Sequence, residues 1–243
     1  MTGVEEYPEI IAEIALSIGA IKLNPENPFQ WASGFRMPIY NDNRMLLWSI
    51  PNRQRVAAVL SELVRETFGS DLTVIAGTST AGIPWATMVA DKTKNPLIYI
   101  RDKPKDHGLR NQIEGIDAQT NLNRYSVVVI EDLISTGGSS AAAVQAVRDA
   151  EGSCNHCFSI FNYGFKEAQE MFEGTRPYNR EGTRSLIPPC QVRSVLTYDA
   201  LLRMARKKGY IDSTRVKMLE EWRADPFGWG EKRGFPRVVQ AKN

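Results

Sequence analysis

A doubly wound α/β domain on a mainly parallel sheet is the fold class this sequence predicts, and three observations predict it. Short continuous apolar runs recur at TVIAG (73–77), LIYIR (97–101), SVVVI (126–130) and CFSIF (157–161). Runs that are apolar on consecutive residues suit strands covered on both faces. Helical spacing fills intervals between them, at GIPWATMVADKT (82–93) and SSAAAVQAVRDA (139–150), the second stopped by Gly152. Strand and helix in alternation imply crossovers between parallel strands. The length, 243 residues, suits one such domain with additions.

The remaining elements follow in chain order. Residues 8–18 (PEIIAEIALSI) have the spacing of an amphipathic helix, ended by Gly19. Residues 20–51 are irregular, and their aromatics Phe29, Trp31, Phe35 and Tyr40 need a surface to pack on, so they read as a structured cap. Pro51 and Asn52 open a helix over 52–68, with Val56, Val59, Leu60, Leu63 and Val64 on one face. Residues 102–125 show neither helix nor strand but carry Lys103, Lys105, His107 and Arg110. A connection of that length in a compact domain marks a lid or binding loop, here 102–120. Residues 174–191, with Arg176, Arg180 and Arg184, read as a surface excursion. Helices at about 199–208 and 212–224 close the domain, the last ended by Asp225-Pro226. The expected organisation is a single domain over 1–243: helix and cap to about 50, an α/β core over about 51–225, and a tail over about 226–243.

A formal net charge of +2 is too small for nucleic-acid binding by bulk electrostatics. No apolar run approaches the roughly 18–20 residues that span a membrane. The N-terminus, MTGVEEYPEI, lacks the basic start and apolar stretch of a secretory signal. The three cysteines, Cys154, Cys157 and Cys190, make no disulfide framework, so a reducing cytoplasm is expected. Cys154 and Cys157 bracket His156 in a lone CxxC without the second ligand pair that zinc needs, and read as buried thiols at a strand start.

The chemistry concentrates in SVVVIEDLISTGGSS (126–140): a buried strand, two carboxylates, a turn of small residues and a helix. The turn Ser135-Thr136-Gly137-Gly138-Ser139 lets backbone N–H groups converge at a helix N-terminus, which is an anion site. Hydroxyls of Thr136 and Ser139 add donors. Glu131 and Asp132 stand where open α/β sheets place their ligands. Two acids beside a phosphate site make sense if the ligand also brings donors, as a ribose 5-phosphate does with its hydroxyls. A divalent cation on a diphosphate would offset their charge.

On these residues the chain resembles the type I phosphoribosyltransferases, whose motif for 5-phosphoribosyl-1-diphosphate (PRPP) is similar to IEDLISTGGSS. The stretch Arg101-Asp102-Lys103-Pro104-Lys105-Asp106-His107-Gly108 is similar to the mobile-loop signature of the orotate phosphoribosyltransferases. Lys22-Leu23, Ser33-Gly34 and Pro38-Ile39-Tyr40 resemble that family's N-terminal hood, and the resemblance runs from about residue 10 to about 225. The chain departs from the family at Ala32, Ala81 and Tyr163, where Lys, Lys and Arg are frequent.

The resemblance implies conversion of orotate and PRPP to orotidine 5′-phosphate and diphosphate, in the cytoplasm, for pyrimidine (UMP) synthesis. It implies Mg²⁺ held by PRPP and water, with no direct protein ligand. It implies a homodimer in which the lid of one subunit closes over the other's site, and neither nucleic acid nor membrane as partner. Lys105, His107 and Asp132 are the implied catalytic residues. Arg101, Lys105, His107, Glu131, Asp132, Leu133, Ile134, Ser135, Thr136, Gly137, Gly138 and Ser139 are implied to bind PRPP, and Ser135, Tyr40 and Tyr163 orotate. Two alternatives are a phosphoribosyltransferase for a purine or uracil, and a non-catalytic PRPP-sensing regulator. Lys105-Asp106-His107-Gly108 with the hood favours orotate over the first. The second class commonly adds a nucleic-acid-binding surface, which the sparse basic tail (Lys232, Arg233, Arg237, Lys242) does not make.

Overall fold

The computed structural model describes residues 7–103, 112–117, 120–174 and 189–238. Its elements in chain order begin with α1 (Tyr7–Ser17), β1 (Ile21–Leu23), β2 (Phe29–Gln30), β3 (Arg36–Met37) and β4 (Ile39–Asn41). Then come α2 (Ile50–Phe68), β5 (Thr73–Thr78), α3 (Gly82–Thr93), β6 (Leu97–Ile100), β7 (Ile113–Glu114) and β8 (Ser126–Ile134). These are followed by α4 (Gly138–Asp149), β9 (Ser153–Asn162), α5 (Lys166–Gly174) and β10 (Gln191–Thr197). Last are α6 (Tyr198–Lys207), α7 (Ser213–Ala224) and the short α8 (Trp229–Lys232). Two compact units result: Ile50–Thr197, and Met1–Ser49 together with Tyr198–Asn243.

The unit Ile50–Thr197 is built on a six-stranded sheet in the order β10-β9-β8-β5-β6-β7. Every neighbouring pair is parallel except β6 with β7. All of β5 is buried, as a central parallel strand must be. On one face Val74, Ala76, Val127 and Val129 pack with Val144 and Val147 of α4. The expected doubly wound, mainly parallel sheet is thus the observed one. The chain runs from β5 to β6 on one side, then returns to place β8 on the other. That reversal opens a crevice beyond the carboxyl ends of β5 and β8, the usual ligand position in open α/β sheets.

Several elements differ from the sequence reading. The strand expected to end at Ile130 continues to Ile134, because Glu131, Leu133 and Ile134 keep register with Ser159, Phe161 and Asn162 of β9. Residues 102–125, expected to lack structure, contain β7, which returns antiparallel on the edge with Ile113 opposite Ile100. The sequence reading also missed α5 and β10. Only Ala168 and Phe172 of α5 are buried, too few to mark a stripe. β10 is an edge strand carrying Gln191, Arg193 and Ser194, and it passes into α6 with no intervening turn.

In the other unit the cap residues form two small antiparallel pairs, β1 with β4 and β2 with β3. Their aromatics find their surface on the C-terminal segment. The Phe35 ring lies 5.1 Å from that of Phe227, and Trp31 lies 6.3 Å from Trp222. Trp222 Nε1 donates to Met37 Sδ at 3.1 Å. The segment expected as a tail packs here as far as Val238, whose N–H donates to the Gly34 carbonyl at 3.0 Å. Among the described residues no helix is long and apolar enough to cross a membrane.

Candidate active site

The crevice at the reversal is lined by the ends of β5 and β8 and by the turns that follow them. After β8 the turn Ser135–Gly137 leads into α4. Gly137 is the N-cap of α4, at φ +80°, and no side chain caps the helix. A Cβ at this position would lie 3.0 Å from the Ala168 Cα of α5, so glycine is required by both dihedral and space. Gly138 and Ser139 are exposed. The leading amides of a helix have no intrahelical acceptor, and here they face solvent with the positive end of the helix dipole behind them. The arrangement can hold a dianionic phosphate. Ile134, beneath the turn, is buried, and its carbonyl accepts from the Tyr163 N–H at 3.1 Å.

The two acids differ sharply. Asp132 is half-buried at the crevice, whereas Glu131 is 6 % exposed. The Asp132 N–H donates to Glu131 Oε1 and Ser140 Oγ to Glu131 Oε2, both at 2.9 Å. The Thr78 hydroxyl donates to the carbonyl of Ile130, the residue before Glu131, at 3.3 Å. Burial, and then the neighbouring Asp132 carboxyl, raise the Glu131 pKa from 4.5 to about 7. Glu131 is thus buried with both oxygens engaged, and Asp132 is the more accessible of the two acids at the crevice.

Across the crevice, the turn after β5 runs through Ser79, Thr80 and Ala81, with the Ser79–Thr80 peptide cis. Ala81 caps α3 without a side-chain bond, so this turn offers backbone donors alone. Gly82 is forced by close approach, since a Cβ there would collide with Thr78 Oγ1. Arg101 follows β6 at the same end of the sheet, half-buried, with Nη1 3.5 Å from Glu114 Oε1. Lys105 and His107 lie outside the described residues, as do Arg176, Arg180 and Arg184.

Of the base candidates, Ser135 is half-buried at the start of the turn after β8. Tyr40, in β4 of the other unit, is 38 % exposed, its ring 5.9 Å from that of Phe29. Tyr163 is a correction. It is 1 % exposed, stacked on Phe165 at 5.2 Å and edge-on to Phe161 at 4.9 Å, and burial holds its hydroxyl protonated. It is a packing residue of this unit, not a ring presented to a ligand. The thiols of Cys154 and Cys157 are fully buried in β9, and burial raises the first to about 12 and the second well above its ordinary value. Sequence reasoning missed Thr78 and Ser140. Ser140 is the last residue of the motif and could have been noticed, whereas only the fold brings Thr78 to the end of β8.

Comparison with known proteins agrees with this geometry. Residues 49–173 match the family model described as phosphoribosyl transferase domain. The chain is 40 % identical over 221 residues to the orotate phosphoribosyltransferase of Listeria monocytogenes, covering 91 % of this chain and 97 % of that one. It is 38 % identical over 222 residues to the orotate phosphoribosyltransferase of Porphyromonas gingivalis, again covering 91 % and 97 %. Among solved structures it is similar to orotate phosphoribosyltransferase from Aeropyrum pernix, with a TM-score of 0.62 at 25 % identity, covering 83 % of this chain and 99 % of that one.

Proposed function

The chain belongs to the orotate phosphoribosyltransferases, and from that premise we propose how its residues convert orotate and PRPP to orotidine 5′-phosphate and diphosphate. One observation carries the reading. A helix N-terminus free of any side-chain cap and the half-buried Asp132 carboxyl stand side by side at the sheet's reversal point. The amides and hydroxyls of Leu133–Ser139 receive the 5-phosphate, and Asp132 accepts from the ribose hydroxyls. Arg101, with Lys105 and His107 of the lid, receives the departing diphosphate, whose charge grows as its bond to ribose breaks. Ser135 is assigned to the base. No protein nucleophile is needed, since catalysis comes from positioning and from stabilising the leaving group.

Mg²⁺ suits this crevice because its donors are oxygens, the Asp132 carboxyl and the hydroxyls of Ser135, Thr136 and Ser139. The ion would be held by the diphosphate and water, and would supply positive charge that offsets both the phosphates and Asp132. The proposal includes a cytoplasmic location, supported by three free, buried cysteines, and a homodimer with exchanged lids. The test is to incubate the protein with PRPP and orotate, adenine, hypoxanthine or uracil, with and without Mg²⁺, and to follow diphosphate release. Release with orotate and Mg²⁺ alone is expected. Release with a purine instead would overturn the base assignment, and release undiminished by chelation would overturn the metal.

A further inference from the structure

We propose that residues 234–238 are a latch that fastens the tip of the β2–β3 hairpin, so that latch and tip open and close as one unit. The inference is independent of the crevice and of its ligand.

The hairpin does not hold its own shape. Each strand has two residues, with Phe29 opposite Met37 and Gln30 opposite Arg36, and an isolated ribbon of that size is unstable in water. Its root is fixed by α7, through the Trp31 ring beside that of Trp222 and through Trp222 Nε1 on Met37 Sδ. Its tip, residues 32–35, has a different support. The Arg237 guanidinium lies 4.3 Å from the centroid of the Phe35 ring, and its Nε donates to the Ser33 carbonyl at 3.0 Å. The Val238 N–H donates to the Gly34 carbonyl, also at 3.0 Å. Gly34 is buried although Ala32 and Ser33 beside it are exposed. A Cβ at Gly34 would collide with the Val238 carbonyl, so the latch passes directly over the loop.

The short helix α8 aims the latch. Gly230 packs so closely on β3 that a Cβ there would lie 3.0 Å from the Arg36 carbonyl. Phe235 stacks on Trp229 at 6.4 Å, and its N–H donates to the Gly230 carbonyl at 2.8 Å. Pro236, Arg237 and Val238, which follow, are exposed. A segment with little buried apolar surface opens locally while the rest of the molecule stays folded. The three contacts of Arg237 and Val238 therefore decide whether the tip is held. The resemblance to the family runs to about residue 225, and the latch lies beyond it.

The experiment is hydrogen exchange followed by mass spectrometry on the full-length protein, on Arg237→Ala and Phe35→Ala, and on a chain ending at Phe235. The hairpin reporters are the amides of Trp31 and Gly34, which close the loop on the carbonyls of Phe35 and Trp31. The reference is β5, a buried strand of the other unit. Arg237→Ala should speed exchange at the hairpin amides about tenfold, the combined scale of one hydrogen bond and one exposed cation–π contact, with β5 unchanged. The chain ending at Phe235 loses the Val238 bond as well and should speed it further. If that chain does not fold, the point variants decide the matter. Phe35→Ala, made in the hairpin, should speed exchange in residues 234–238 by a similar factor, because coupling between two segments is reciprocal. The latch is overturned if Arg237→Ala leaves the hairpin amides unchanged, or if Phe35→Ala loosens the hairpin alone. It is overturned too if β5 quickens by the same factor, which would mark a general loss of stability rather than a local unit.

Discussion

At the scale of single residues, the adjacent acids divide their work by environment. Glu131 has a folded-state pKa of about 7 against an ordinary 4.5, raised first by burial and then by Asp132. Below pH 4.5 the acid is protonated both folded and unfolded. Between 4.5 and 7 the unfolded chain releases a proton that the folded chain keeps. Stability from this group is therefore complete below 4.5 and is lost as pH rises through about 7, a change on the order of 3 kcal/mol at most. Glu131→Gln cannot ionise, so its unfolding free energy, measured by urea titration from pH 4.5 to 8, should fall less with rising pH than that of wild type. Parallel curves would refute the assigned shift. Asp132, half-buried at the crevice, is the acid proposed to accept from the ribose hydroxyls. Asp132→Asn replaces one acceptor oxygen with a donor and should weaken PRPP use by at least tenfold, the worth of a charged hydrogen bond, with circular dichroism unchanged. Tyr163→Phe should leave the orotate KM within about twofold, because a ring so deeply buried meets no ligand.

At the scale of elements, the turn Ser135–Gly137, proposed to receive the 5-phosphate, is held from behind by α5. Gly137→Ala must adopt φ near +80° and pushes its methyl against the Ala168 backbone. That combination costs roughly 1–3 kcal/mol, or the turn shifts and the amides lose their focus. Thermal unfolding and PRPP KM should both worsen, and a variant equal to wild type in both would mean that the turn is not held as described. This turn was legible before the fold was known, because small residues between a Val/Ile run and a helical run leave few alternatives. The helix Gly82–Thr93 was legible to the residue for the same reason. What stayed hidden was decided by pairing across the chain. Acids at 131 and 132 look like the end of a strand, yet β9 supplies partners that carry β8 on to Ile134. An edge strand such as β10 is under no demand to be apolar, so its pattern is mute. The Thr78 hydroxyl meets the end of β8 at the Ile130 carbonyl, 52 residues away in sequence, and no spacing rule reports such a contact.

At the scale of the whole molecule, the proposed exchange of lids makes each active site a joint product of two chains. The sheet of one subunit would supply Asp132 and the phosphate turn, and the other subunit would supply Lys105 and His107. A twofold axis makes the exchange reciprocal. The consequence can be tested with two defective proteins, Lys105→Ala and Asp132→Asn, each nearly inactive alone. Unfolded together in equal amounts and refolded, they should pair at random, so that about half of the dimers are mixed. In each mixed dimer one site carries both lesions and the other carries neither. Activity should therefore recover to roughly a quarter of wild type, since half of the dimers have one of two sites intact. The fraction of mixed dimers is checked independently by tagging one variant and counting the co-purified partner. If Lys105 and Asp132 serve the same site from one chain, mixing repairs nothing, and mixed dimers confirmed by the tag but without activity would refute the shared site while leaving the PRPP assignment standing.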